Sequence, residues 1–139
     1  MKKFLLLLAC IYGIIIISQG QQQGPVKSAI QKTDSGYQLV RAGKPYFING
    51  AGGGRYPDRV RGYGGNSIRT WGTRGADKIL DSAQKHGLTV LMGLDVARER
   101  HGFNYDNPDS VKMQLEKLRA EVMKYKDHPA LLAWELAMS

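Results

Sequence analysis

Two unbroken apolar runs of strand length, Leu88-Thr-Val-Leu-Met92 and Ala130-Leu-Leu-Ala-Trp134, stand on either side of one long amphipathic pattern. A strand that is apolar at successive rather than alternate positions is buried on both faces, the situation of a strand inside a parallel sheet. Parallel neighbours need a long crossover, and the pattern between the runs supplies it as a helix. Asn107 suits the N-cap and Pro108 the first helical position, while Val111, Leu115, Leu118, Val122 and Tyr125 recur at spacings of 4, 3, 4 and 3, so one face is expected in the core. Asp127-His128-Pro129 ends the helix.

The same alternation extends upstream. Tyr37-Gln-Leu-Val-Arg41 and Pro45-Tyr-Phe-Ile-Asn49 are β-prone runs separated by Ala42-Gly43-Lys44, a hairpin signal of the three-residue kind. Gly50 to Gly54 ends the second run as a tight turn. Pro57 opens a short helix to about Arg61, Asn66 to Trp71 reads as a strand, and Ala76, Ile79, Leu80 and Ala83 place a helix near residues 74–86 with Gly87 as its stop. The loop after Met92 is expected over 93–105. Repeated β/α units call for an α/β fold with a parallel sheet covered by helices. A doubly wound sheet and an eight-stranded β/α barrel both satisfy this order.

The amino terminus carries Lys2 and Lys3, an apolar run from Phe4 to Ile17, then Ser18-Gln19-Gly20, the layout of an export signal cleaved after Gly20. Fourteen mostly apolar residues fall short of the roughly 20 that cross a bilayer, so no stable membrane span is expected. Leu7-Leu8-Ala9-Cys10 resembles a lipobox, and lipidation of Cys10 is the rival reading. Secretion or a periplasmic location follows from the first reading, with residues 1–20 as signal, 21–36 as spacer and lead-in, and about 119 residues left to fold as one small domain. Cys10 is the only cysteine, so the mature chain can form neither an internal disulfide nor a cysteine-based metal site.

The net charge is +8, and removing Lys2 and Lys3 with the signal leaves eighteen basic against twelve acidic residues. Arg55, Arg59, Arg61, Arg69 and Arg74 interleave with Tyr56, Tyr63 and Trp71. That is the nearest approach to a nucleic-acid surface, but an exported chain argues against one, and no nucleic-acid partner is expected. The glycine loop after a strand invites a dinucleotide reading, which fails because the G-x-G-x-x-G pattern begun at Gly50 meets Arg55 where its last glycine belongs. No cofactor is expected. His86, His101 and His128 are scattered without metal-ligand spacing, so no metal site is expected either. Asp95, Arg98, Glu99, Arg100 and His101 follow the third strand, at the strand ends where α/β folds place their ligands.

Several segments then carry a resemblance. Lys44-Pro45-Tyr-Phe-Ile-Asn-Gly50, Gly65-Asn66-Ser-Ile-Arg69-Thr-Trp71, Gly87-Leu-Thr-Val, His101-Gly102 and His128-Pro129-Ala-Leu-Leu-Ala-Trp134 resemble, in order and spacing, the first half of the (β/α)8 catalytic domain of family 2 and family 5 glycoside hydrolases. The resemblance covers residues 37–139 and implies a hairpin at the bottom of the barrel followed by four strands and three helices. It also implies a retaining O-glycosyl hydrolase acting on a polysaccharide or glycoside. Arg69 would lie beside the nucleophile and keep it ionised, since a cation lowers a neighbouring carboxylate's pKa. Trp71, Asp95, Arg98 and His101 would line the sugar subsites.

The chain departs from that pattern at its end. The family continues from the tryptophan as W-x-[IL]-[GA]-N-E, whose final glutamate is the general acid/base, whereas here Trp134-Glu-Leu-Ala is followed by Met138 and Ser139. The acid/base position holds Ser139, and Glu135, at a variable position, is expected to point elsewhere. No catalytic residue is therefore assigned. A one-base deletion accounts for the ending: GCA AAT GAG CTG A becomes GCA ATG AGC TGA, read as Ala-Met-Ser-stop. The expectation is an inactive, truncated piece whose open sheet edges favour aggregation or dimerisation. The alternative is a non-catalytic carbohydrate-binding or scaffold protein on half a barrel.

Overall fold

A computed structural model describes residues 24–137; the segment expected to be an export signal, with Cys10, and Met138 and Ser139 lie outside the described residues. The order is β1 (Ser28–Thr33), β2 (Gly36–Arg41), β3 (Lys44–Pro45), β4 (Gly50–Gly52), α1 (Pro57–Gly62), β5 (Ser67–Arg69), α2 (Ala76–Lys85), β6 (Thr89–Asp95), α3 (Pro108–Tyr125) and β7 (Leu131–Ala137). A turn of 3-10 helix covers Glu99–His101. Strands β1 to β3 form an antiparallel sheet, and β4 to β7 form a parallel sheet in sequence order, a mixed α/β architecture. Each crossover moves one strand along in the same direction. The strand order does not reverse among the described residues, whereas a doubly wound sheet reverses at its switch point.

The antiparallel sheet differs from the sequence expectation in two ways. The segment read as lead-in contains β1, which pairs along its whole length with β2 around the Asp34-Ser35 turn. The β2–β3 hairpin has a two-residue loop, not a three-residue one, because Arg41 faces Lys44 and both Ala42 (φ +50°) and Gly43 (φ +75°) take positive φ, the geometry that follows strand twist. Residues 46–49 form no strand. Asn66 gathers them instead: its amide donates to the Asn49 carbonyl at 2.7 Å, its carboxamide nitrogen donates to Phe47 O at 2.7 Å, and its Oδ1 accepts from Asn49 N at 2.9 Å.

This sheet is tied to the N-terminal ends of the parallel strands. Tyr46 Oη donates to Asn66 O at 2.9 Å and lies 3.0 Å from Thr89 Oγ1. The Arg41 guanidinium donates to Leu131 O at 3.1 Å and also to Pro129 O. Burial pushes the Arg41 pKa below its ordinary value, against a smaller opposing effect of Tyr46.

The core lies between the parallel sheet and its helices, built from Ile68, Leu80, Val90, Met92 and Leu131 with Ala76, Ala83 and Tyr125. Helix α2 confirms its spacing, since Ala76, Leu80 and Ala83 are all buried. Helix α3 begins where expected, with Asn107 Oδ1 accepting from Asp109 N at 3.0 Å and Ser110 N at 3.2 Å. Its apolar face is only partly core, a correction: Tyr125 is buried, but Leu115 is 60% exposed. Within the N-terminal half of that face Val111 is half-buried while Leu115 is left in water.

Candidate functional site at the strand ends

In β5 the side chains alternate, so Ile68 enters the core while Ser67 and Arg69 share the opposite face. Register carries that face across the sheet: Arg69 stands opposite Leu91 of β6, Leu91 opposite Ala133 of β7, and Gly93 opposite Glu135. Glu135 is thus on the same face as Arg69, slightly nearer the C-terminal strand ends. Arg69 Nε donates to Glu135 Oε2 at 2.7 Å and Nη2 to Oε1 at 2.6 Å, a bidentate pair. Both side chains are partly exposed, at 43% and 31%.

This overturns the expectation that Glu135 points elsewhere. Residues 133 and 135 of β7 are two apart, and in a strand of period two both lie on the face that Arg69 and Leu91 share.

The strand between the pair presents Gly93 where a side chain would stand. A Cβ there would lie 2.5 Å from the Trp71 carbonyl carbon and 2.7 Å from Thr70 O, so only glycine lets the end of β5 approach β6 this closely. Trp71 is 51% exposed. The edge of its indole closes on Gly52, where a Cβ would come within 2.9 Å of Cη2, and the Arg69 Cζ is 5.6 Å from its ring centroid, within cation–π range. Arg69 at the end of β5, Trp71 just beyond it and Glu135 of β7 therefore form one surface: an exposed aromatic plate beside a guanidinium whose orientation a carboxylate fixes.

Of the other expected site residues, Arg98 and His101 do not join it. Asp95 is the last residue of β6 and exposed. Arg98 follows in the loop with Nε and Nη2 buried and without hydrogen-bond partner among the described residues. His101 is exposed on the 3-10 turn. Among the described residues no hydrogen bond or ion pair links Arg98 or His101 to Arg69, Trp71 or Glu135. The loop is braced elsewhere, by Tyr105 Oη donating to Ala97 O at 2.6 Å and Ala97 N donating to Gln114 Oε1 at 2.7 Å. No group of three metal-ligating side chains occurs among the described residues, and no helix there is long and apolar enough to cross a membrane.

A cavity of about 630 Å³ runs along the open edge of β4, with Gly52, Tyr56, Arg59, Val60 and Tyr63 in its wall. None of Arg69, Trp71 or Glu135 lines it. It belongs to the unpaired edge of the sheet, and the chemistry-bearing groups lie at the strand ends.

No protein-family model matches the chain, and no curated protein matches it. Solved structures do. The exo-chitosanase CsxA of Amycolatopsis orientalis superposes with a TM-score of 0.62 at 19% identity, over 80% of this chain and 15% of that one. A β-glucuronidase of Ruminococcus gnavus gives 0.51 at 17% identity, over 79% of this chain and 23% of that one. One from an uncultured Clostridium gives 0.50 at 20%, over 78% and 22%. The chain thus spans less than a quarter of the length of these structures. At such identities the likeness is one of fold: this α/β unit is similar to a segment found within glycoside hydrolases.

Proposed function

We propose that the chain is the first half of the (β/α)8 catalytic domain of an exported, retaining O-glycosyl hydrolase, binding a polysaccharide or glycoside at the C-terminal ends of its parallel strands. The observation that carries this reading is the Arg69–Glu135–Trp71 surface at the ends of parallel strands whose order does not reverse. Ligands of β/α barrels bind at that end. An exposed indole suits the apolar face of a pyranose ring, and a guanidinium held edge-on offers donors to its hydroxyls. The sequence resemblance and the fold of the structural neighbours support the same assignment.

The chain is inactive on this reading. Retention uses two carboxyl groups about 5–5.5 Å apart, one as acid/base and one as nucleophile. Ser139 holds the acid/base position of the resemblance, and Glu135 is engaged by Arg69. A second reading, carbohydrate binding without hydrolysis, is favoured by the completeness of the Trp71 plate within this chain alone. Both readings predict no turnover. Purified protein incubated with a panel of aryl β-glycosides should release no phenol above buffer. Release that disappears in Glu135→Gln would show a working carboxylate and overturn the inactivity.

A further inference from the structure

A free arginine at a sugar site is a receptor for carboxylates, because its planar fork matches a carboxylate bidentately. Arg69 is not free in that sense, since its Nε and Nη2 are both taken by Glu135, at 2.7 and 2.6 Å. We propose that Glu135 sets the charge class of the sugar: by occupying Arg69 it makes the strand-end surface accept neutral sugars and turn away uronic acids. This rests on the sugar-site reading above and adds to it a specificity residue.

An incoming uronate has two ways to reach the guanidinium, and both are unfavourable. Displacing Glu135 leaves a partly buried carboxylate without its partner, and burial without a partner opposes charge. Binding beside Glu135 places two carboxylates within a few ångströms, where like charges disfavour each other. Asp95 ends β6 on the same face as Gly93 by register parity, further toward the strand ends than the pair. Arg98 and Arg100 carry the opposite sign in the next loop, but no ion pair or hydrogen bond among the described residues brings them to Arg69. A neutral sugar meets none of these obstacles. Arginine has five N–H donors, so three remain on Arg69 for hydroxyl oxygens while Trp71 takes the ring.

The test is a pair of NMR titrations with methyl β-D-glucopyranoside and methyl β-D-glucopyranosiduronate, which differ only in the C6 carboxylate. They are followed at Trp71 Nε1–H and Arg69 Nε–H in wild type, Glu135→Gln and Glu135→Asp. Wild type should bind the glucoside at least about tenfold more tightly than the glucuronide, a ratio that the strength of charge-assisted bonds makes reasonable. Glu135→Gln frees the fork and should move that ratio about tenfold toward the glucuronide. Glu135→Asp keeps the charge and should discriminate as wild type does, which separates charge from packing. A glucuronide that binds wild type as tightly as the glucoside, or an unchanged ratio in Glu135→Gln, overturns the inference while leaving the sugar site intact. No glucoside response in wild type together with a gain of glucuronide in Glu135→Gln overturns the sugar-site reading and leaves the charge role of Glu135 standing. Silence in every titration overturns both.

Discussion

The middle of the parallel sheet and its two margins are written in similar sequence but solved differently. Strand β6 has neighbours on both sides and a helix over it, and every residue from Thr89 to Leu94 except the half-buried Leu91 is buried. Strand β7 is as apolar but among the described residues pairs only with β6, and Leu136 is 67% exposed. Helices repeat the contrast: Leu80 of α2 is completely buried, whereas Leu115 of α3, at an equivalent place in an apolar stripe, is largely in water. At the opposite margin β4 is exposed throughout and backs the cavity lined by Tyr56 and Tyr63. Periodicity states which face a segment would bury; burial itself needs a neighbour. Among the described residues the parallel sheet has strand neighbours in its middle and none beyond β4 and β7.

The sharpest way to break this comparison is to truncate equivalent leucines. Leu80→Ala should lower unfolding free energy by about 2–5 kcal/mol, as core truncations do, and Leu115→Ala by less than about 0.5 kcal/mol, as at a surface. Equal losses in denaturant melts would mean that α3 is covered in solution. Arg41→Ala comes next, with about 1.5–3 kcal/mol expected from losing charged hydrogen bonds to the start of β7. Hydrogen exchange should then rise first in β1, β2 and the 128–131 turn rather than in β6. Gly93→Ala should cost about 1–3 kcal/mol through the clash with the Trp71 backbone. It should also abolish the slow exchange of Arg69 Nε–H that the Glu135 pair confers; retention of that signal would place the pair outside the influence of the β5–β6 approach.

The smallest effect is a pH dependence at the exposed link between α2 and α3. Hydrogen bonds from Lys124 and then Tyr125 hold the Asp77 carboxyl below its ordinary value of 3.8, while Tyr125 and then Asp77 raise Lys124 above 10.5. Asp77 contributes stability that is fully present above its ordinary value and fades as pH falls through its lowered one. Lys124 contributes stability present below 10.5 and lost as pH rises through its raised value. Asp77→Asn should flatten the acid side of a stability–pH curve by lowering the neutral plateau slightly, the variant and wild-type curves converging at low pH.

Much of the fold was legible because its signals were local. Asn107-Pro108 fixed the start of α3, Gly87 the end of α2, and the apolar runs β6 and β7. Strand β4 was hidden because Gly50-Ala51-Gly52 has no β propensity; it is a strand because Ser67–Arg69 pairs with it and glycine admits the Trp71 ring above it. Strand β1 was hidden by polar residues that suit an exposed antiparallel edge. At the candidate site, Arg69 carried a motif-level resemblance and Trp71 was placed by position, while the pairing of Glu135 with Arg69 depends on the β5–β6–β7 register, which no local motif encodes. The separation of Arg98 and His101 from Arg69 depends on the path of the 96–106 loop, which composition does not encode.

The sugar plate itself is tested most directly by tryptophan fluorescence, since only Trp71 and the half-buried Trp134 report. Titration with neutral β-linked oligosaccharides should give a saturable change in wild type with a midpoint near about 1 mM, the weak affinity of about −4 kcal/mol that an open surface supports. Trp71→Phe should lose that change and keep the Trp134 signal. A response that survives in Trp71→Phe, or no response to any oligosaccharide in a folded wild-type protein, would contradict a carbohydrate site at these strand ends.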